Sequence, residues 1–172
     1  MNKVMAWSEC TIKIGATPEG ETMATELTEI KEPKYQSTTL ESEDGDVLEA
    51  IKEGGQRVGY EKLPGALTLK TRIIEPDDEL FKLLGLGEAE TSGSTTGEFN
   101  VKSHVVPKYF SVEVTPAHDG AKGIRAPKCS VSFQFGYSTQ EGNYADLTFG
   151  ILDGAAGYWY KRFTVKRLSV LP

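Results

Sequence analysis

Four segments of the chain alternate between apolar and polar residues, and this period of two constrains the fold more than any other feature. The alternation runs through 67–73, 110–114, 129–135 and 145–151. Successive side chains of a β-strand point to opposite faces, so each segment indicates a strand with one buried face. The side chains predicted to face a core include Leu67, Leu69, Thr71 and Ile73; Cys129, Val131, Phe133 and Phe135; and Ala145, Leu147, Phe149 and Ile151.

One segment has the pattern of a helix. Pro76 suits the first helical position, and the acidic residues 77–79 carry the negative charge that the helix dipole favours in a first turn. Three leucines follow at helical spacing, and Gly85 suits the left-handed conformation that ends a helix. The pattern predicts a short helix at about 76–84.

Weaker strand patterns at 10–14, 58–62, 99–106 and 159–168 bring the number of strands to about eight. The chain has 172 residues, which is the length of one domain. We therefore predict a mainly β protein, a β-sandwich or barrel of about eight strands with one short flanking α-helix, in a single domain spanning 1–172. The polar, glycine-rich stretch 87–97 is expected to be a flexible surface loop.

Residues 46–55 allow two interpretations. Asp46 with Glu49 three positions later resembles a capping box, and Gly54 would suit the end of a short helix. The strand-like residues that follow at 58–62 equally allow the segment to be one arm of a long hairpin. The residues alone leave both possibilities open.

Charge is unevenly distributed along the chain. Residues 1–98 hold 20 acidic and 10 basic groups, whereas 99–172 hold 5 and 9, and the net charge is −6. An acidic balance argues against a protein that clamps nucleic acid electrostatically, since that requires a basic face. No apolar run is long enough for a membrane span, and the start of the chain lacks the apolar region of a signal peptide.

No catalytic, metal or cofactor motif stands out. His104 and His118 lie in unrelated contexts without a zinc-type or nucleophile-elbow pattern, so we expect a protein that is not an enzyme. Cys10 and Cys129 fall in strand-like runs and are interpreted as small buried residues. The acidic run 41–46 does not have the spacing of an EF-hand loop and is interpreted as a solvated loop.

Two classes of binding function remain. A monomeric β-sandwich carbohydrate-binding module would use Tyr158, Trp159 and Tyr160 as a stacking platform, although alternate residues of a strand face opposite ways. A structural subunit would use the opposite charge balance of the two halves to meet copies of itself head to tail. Unpaired strand edges would offer a second means of contact.

The chain resembles the tail tube (major tail) proteins of tailed bacteriophages and prophages. The resemblance covers most of the chain from about residue 26 to 163. The segments that carry it are STTLESEDGD (37–46), EGG (53–55), LTLKTRIIEPDDELFKLLG (67–85), GIRAP (123–127) and YADLTF (144–149).

This resemblance implies a β-barrel or sandwich subunit that forms hexameric rings, which stack into the hollow tail tube for genome passage. The implied partners are the protein itself, the tape measure, the tail terminator, a sheath if the tail contracts, and passing DNA without specific binding. The implied location is the virion tail, after synthesis in the bacterial host cytoplasm. Inner-tube subunits of contractile injection or type VI-like secretion systems are the alternative within this class.

The resemblance also implies an assembly arm at about 36–60, since the hairpin after the second strand of such proteins often reaches neighbouring subunits. The charge split suggests that the acidic part of this arm meets a basic surface on the next subunit. The candidate interface residues are Glu41, Glu43, Asp44 and Asp46 on the acidic side and Lys122, Arg125 and Lys128 on the basic side.

Overall fold

The structure, a computed structural model, describes residues 3–6, 9–89, 97–104 and 107–166. Their order is β1 (Cys10–Ala16), β2 (Thr28–Glu29), β3 (Thr39–Ser42), β4 (Val47–Ile51), β5 (Arg57–Lys62), β6 (Leu67–Ile74), α1 (Asp78–Leu83), β7 (Gly87–Ala89), β8 (Phe99–Val101), β9 (Tyr109–Pro116), β10 (Lys122–Ser138), β11 (Gly142–Ile151) and β12 (Lys161–Thr164). The prediction of a mainly β fold with one short helix is confirmed.

Eight of these strands form one antiparallel sheet. Its order is β2-β1-β9-β10-β11-β6-β3, and β12 pairs with the first half of β10. Residues 30–34 join β1 to β6, the two strands next to the ends of this order. Ile30 donates its amide to the carbonyl of Ile12 on β1 at 2.8 Å, and the amide of Ile74 on β6 donates to Glu32 at 3.0 Å. The sheet is therefore closed on itself by this segment, like a barrel.

The core lies inside this closed sheet and follows the predicted alternation closely. Leu67, Leu69, Thr71 and Ile73 are buried on β6, and every second residue from Ala145 to Ile151 is buried on β11. Ile12, Ile14, Phe110 and Val112 complete the layer from β1 and β9. A half-apolar strand pattern was sufficient to predict which face each of these strands buries.

The prediction for β10 is wrong at its far end. Cys129 is fully buried, but Phe133 is half-buried and Phe135 is 42% exposed. The pairing with β9 shifts register between Ala126 and Cys129 and ends at Ser130, so the second half of β10 runs on past the core beside β11. Phe135 contacts the ring of Phe81 from α1, with a centroid separation of 4.9 Å.

The helix is shorter than predicted, because it begins after Pro76. Asp77 is the N-cap, and its carboxylate accepts a hydrogen bond from the amide of Leu80 at 3.0 Å. A side-chain cap of this kind satisfies an amide that has no partner within the helix. The predicted stop is confirmed, since Gly85 has φ 73° and its amide donates to Lys82. Leu80 and Leu84 pack onto the core.

Three further expectations need correction. Part of the expected flexible loop is strand: β7 pairs with β8, and Gly87 lies so close to that strand that a Cβ there would approach the carbonyl of Asn100 to 2.2 Å. The candidate strands 99–106 and 159–168 are reduced to β8 and β12. Residues 90–96, 105–106 and 167–168, which belonged to these three predictions, lie outside the described residues.

Candidate functional site

The segment with two interpretations is a β-hairpin, so the capping-box helix is wrong. Val47–Ile51 pairs with Arg57–Lys62, and Gly54 and Gly55 take positive φ values of 98° and 80° in the connecting turn. Within the part of the chain that the structure describes, these two strands form a sheet of their own. We call residues 47–62 the arm.

The arm continues the edge of the main sheet in unbroken register. Ser42 lies opposite Leu67 at the end of the β3–β6 pair, and Val47 lies opposite Lys62 at the start of the arm. The step from Ser42 to Val47 on one strand equals the step from Leu67 to Lys62 on the other, so the pairing register is the same in the sheet and at the start of the arm. The expected arm of 36–60 is therefore divided: residues 36–42 run along β6, and only 47–62 stand clear of the sheet.

Two glycines form the neck between sheet and arm. A Cβ on Gly45 would approach the carbonyl oxygen of Leu63 to 1.8 Å, and one on Gly65 would approach that of Glu43 to 1.7 Å. The amide of Leu63 also donates to Asp46 at 2.8 Å. Because the two chains approach each other this closely, no larger residue fits at either position, and the neck fixes where the arm begins.

The arm exposes apolar side chains that globular proteins ordinarily bury. Every residue of β4 is exposed, and all of β5 except Gly59 is exposed. Ile51 and Val58 are each 61% accessible, and Val47, Leu48 and Tyr60 are also exposed. A two-stranded hairpin is at best marginally stable alone in water, so an arm of this composition gains most when another surface covers it.

The four acidic candidates lie along the strand that leads into the arm and do not form one loop. Glu41 is on β3 opposite Thr68, Glu43 and Asp44 are in the neck, and Asp46 immediately precedes β4. All four are exposed. Asp44 binds Lys62 of the same chain, with 2.8 Å between carboxylate and ammonium.

The three basic candidates lie on the first half of β10, with Lys122 and Arg125 on opposite faces of the strand. Lys122 donates to the hydroxyl of Thr164. Arg125 donates to Glu113 and lies 4.2 Å from the ring centroid of Phe163.

Lys128 donates to Glu21, and this hydrogen bond raises the pKa of the lysine. Two of the three cations, Arg125 and Lys128, are therefore already paired within the chain. The structure places the three basic residues on one strand but not on one face, and none of them lies against the acidic candidates.

Sequence reasoning missed an ionic network on the outer face of β6 and β11. Arg72 binds Asp146 through two hydrogen bonds of 2.6 and 2.8 Å, and its other nitrogen donates to Glu141 at 2.9 Å. Lys34 also donates to Glu141, which lowers the pKa of that carboxylate. Asp146 lies directly opposite Arg72 on the neighbouring strand, so the pair could be predicted only from the register of β6 against β11.

The residues considered for other functions are scattered. His104 and His118 are both exposed, on the segments that follow β8 and β9. No group of three or more metal-ligating side chains occurs among the residues that the structure describes.

Residues 158–160 precede β12 and are not part of a strand. Trp159 and Tyr160 pack against the core, whereas Tyr158 is exposed beneath the ammonium of Lys161.

Both cysteines are free. Cys129 is fully buried, and burial raises the pKa of its thiol to about 12. Cys10 is half-buried, and burial raises the pKa of its thiol as well. The prediction of small buried residues is confirmed for Cys129 and holds in part for Cys10.

Compared with models of known protein families, the chain matches none. No curated protein shows significant sequence similarity to it. None of the helical residues that the structure describes forms a helix long and apolar enough to cross a bilayer.

Proposed function

We propose that this protein is a structural subunit that assembles with copies of itself into stacked hexameric rings, which form the hollow tail tube of a bacteriophage or prophage. The observation that carries the proposal is the arm. It extends beyond the ends of β3 and β6, it begins at the Gly45–Gly65 neck, and it exposes apolar side chains on both strands. In a monomer these apolar side chains stay in contact with water, whereas an assembly would bury them.

The geometry favours contacts between unlike surfaces. The arm follows β3, the last strand of the sheet order. The basic residues lie on β10, in the middle of that order. A contact between two such different patches is heterologous, and heterologous contacts close into rings or continue as filaments. A tube of stacked rings has both kinds of heterologous contact: one closes each ring, and the other continues from ring to ring.

The net charge of −6 also suits the proposed tube. DNA carries about one negative charge per 1.7 Å of its axis, so an acidic wall would repel it and prevent adhesion during passage. On this proposal the subunit acts in the virion tail, next to tape measure and terminator proteins, and has no catalytic role. An inner-tube subunit of a contractile injection or type VI-like system is the alternative within the same class.

Negative-stain electron microscopy of concentrated purified protein tests the proposal. We expect rings or short tubes whose frequency rises with protein concentration, together with a matching rise in mass by light scattering. A protein that stays monomeric at all concentrations and binds a glycan array through the Tyr158 region would contradict it. That result would support the carbohydrate-binding alternative.

A further inference from the structure

We propose that a groove on the outer face of β9, β10 and β12 is the docking site for the arm of a second copy of this chain. This inference rests on the proposed function, because it requires that the chain assembles with itself. It adds the surface that receives the arm and the residues that determine the fit.

The groove has a volume of about 600 Å³. Its floor is Glu113 of β9, Arg125 of β10 and Lys161 of β12, and its walls are the segments 21–27 and 154–158. Much of the remaining lining is apolar, with Pro127 and Ala156 among the contributing residues. The volume exceeds that of any one side chain, so the groove can receive several side chains of a docked segment.

The floor of the groove holds two cations and one carboxylate, and the carboxylate on its wall, Glu21, is bound by Lys128. Arg125 lies directly opposite Glu113 on one side and Lys161 on the other, so the three side chains share one face. Arg125 donates to Glu113, whereas no carboxylate of the described residues forms an ion pair with Lys161. The ammonium of Lys161 instead lies 5.2 Å from the ring centroid of Tyr158. A ligand with a carboxylate near an apolar group complements this arrangement.

One face of the arm has that combination. Leu48 lies opposite Glu61, and Ala50 lies opposite Gly59, so these four residues share a face. Ala50 and Gly59 have small side chains or none, which lets the backbone approach another surface closely. Leu48 is exposed. No cation of the described residues forms an ion pair with Glu61.

On the other face of the arm the charged groups are paired with each other. Glu49 binds Arg57 at 3.0 Å, and the guanidinium of Arg57 lies 5.3 Å from the ring centroid of Tyr60. That face also exposes Val47 and Tyr60, but its charges are paired. The face that carries Glu61 is the one that combines an unpaired carboxylate with an exposed apolar side chain, Leu48. Placed in the groove, it brings Glu61 to Lys161 and Leu48 to the apolar lining.

Charge reversal and charge exchange test this docking by sedimentation velocity over a concentration series. We expect Lys161→Glu and Glu61→Lys each to raise the concentration needed for assembly by roughly tenfold or more, since the attraction between these two side chains becomes a repulsion. The double variant, with the charges exchanged, should return to within about threefold of wild type. Ala156→Trp, which fills the groove without changing charge, should impair assembly as well.

Arg162→Glu is the matched control. It makes the same change of charge on the next residue of β12, but Arg162 lies opposite Ile124 and therefore on the other face of the sheet. We expect this variant to assemble like wild type. Melting temperatures measured at low concentration establish that all variants fold, because every substituted side chain is exposed.

The outcomes separate the docking site from the proposed function. If wild type assembles while Lys161→Glu and Ala156→Trp assemble equally well, the groove is not the docking site and the proposed function stands. A double variant no better than the two single variants also overturns the docking. A wild-type protein that never assembles overturns both.

Discussion

Replacing Val58 with serine should weaken assembly while leaving the folded monomer nearly unchanged. Fully burying a valine or similar side chain stabilises by roughly 1.5–3 kcal/mol. Val58 is still 61% exposed in the isolated chain, so covering it in an assembly contact would contribute about 1–2 kcal/mol. Serine forfeits this contribution, which corresponds to an approximately 5- to 30-fold weaker contact.

Val101→Ser is the matched control for this substitution. Val101 is also a strand valine and is 56% exposed, but it lies on β8, away from the arm. Both substitutions should change the free energy of unfolding by about 0.5 kcal/mol or less, as is usual for exposed sites.

The assay is the protein concentration at which light scattering first shows assembly, together with urea denaturation of the dilute protein. Only Val58→Ser should raise that concentration. Equal assembly by wild type and Val58→Ser, or equal impairment by Val101→Ser, would refute the reasoning.

Three further predictions concern the fold. Phe149→Ala should lower the free energy of unfolding by about 3–5 kcal/mol in urea denaturation, because Phe149 is fully buried at the centre of the core; a loss below 1 kcal/mol would contradict this placement. The hydrogen bond from Lys34 lowers the pKa of Glu141 below its ordinary value of 4.5, so the stability that this pair contributes is complete above that pH and is lost as pH falls through the lowered value. Wild type should therefore lose more stability between about pH 6 and pH 3 than Glu141→Gln does, and parallel losses would exclude the network as the cause. Cys129 should resist alkylation in the native protein and react at the ordinary rate in urea, because burial raises the pKa of its thiol to about 12.

The sequence was most informative where a single strand decides the outcome. The alternation in β6 and β11 predicted the buried face of each strand, since burial on a half-apolar strand depends only on period and register. Gly85 was predicted to end the helix because a left-handed residue at that point is a local requirement. These features need no knowledge of distant residues.

Other features depend on pairing that alternation does not encode. Periodicity marked Phe135 as core-facing, but the core ends before the strand does, because β9 pairs with β10 only as far as Ser130. Gly87 was interpreted as a source of flexibility, whereas the close approach of β8 requires a glycine there. The Arg72–Asp146 pair needed the register of two strands.

The candidate interface was predicted only in part. The charge split pointed to both the acidic and the basic surfaces, because composition is visible in the sequence. It did not show that Arg125 and Lys128 are already paired with Glu113 and Glu21. Lys161 was missed because its importance comes from lying next to Arg125 across the β10–β12 pair.

Hydrogen exchange of the arm, compared between dilute and concentrated protein, tests the central claim most directly. In the dilute monomer the amides of residues 47–62 should exchange rapidly, because the arm's two strands pair with no other strand of the described residues and are exposed to water. We predict that these amides become strongly protected as the assembled fraction rises, while the amides of β6 and β11 stay protected throughout. An arm whose exchange is unchanged in assembled protein would contradict the claim that the arm holds the subunits together.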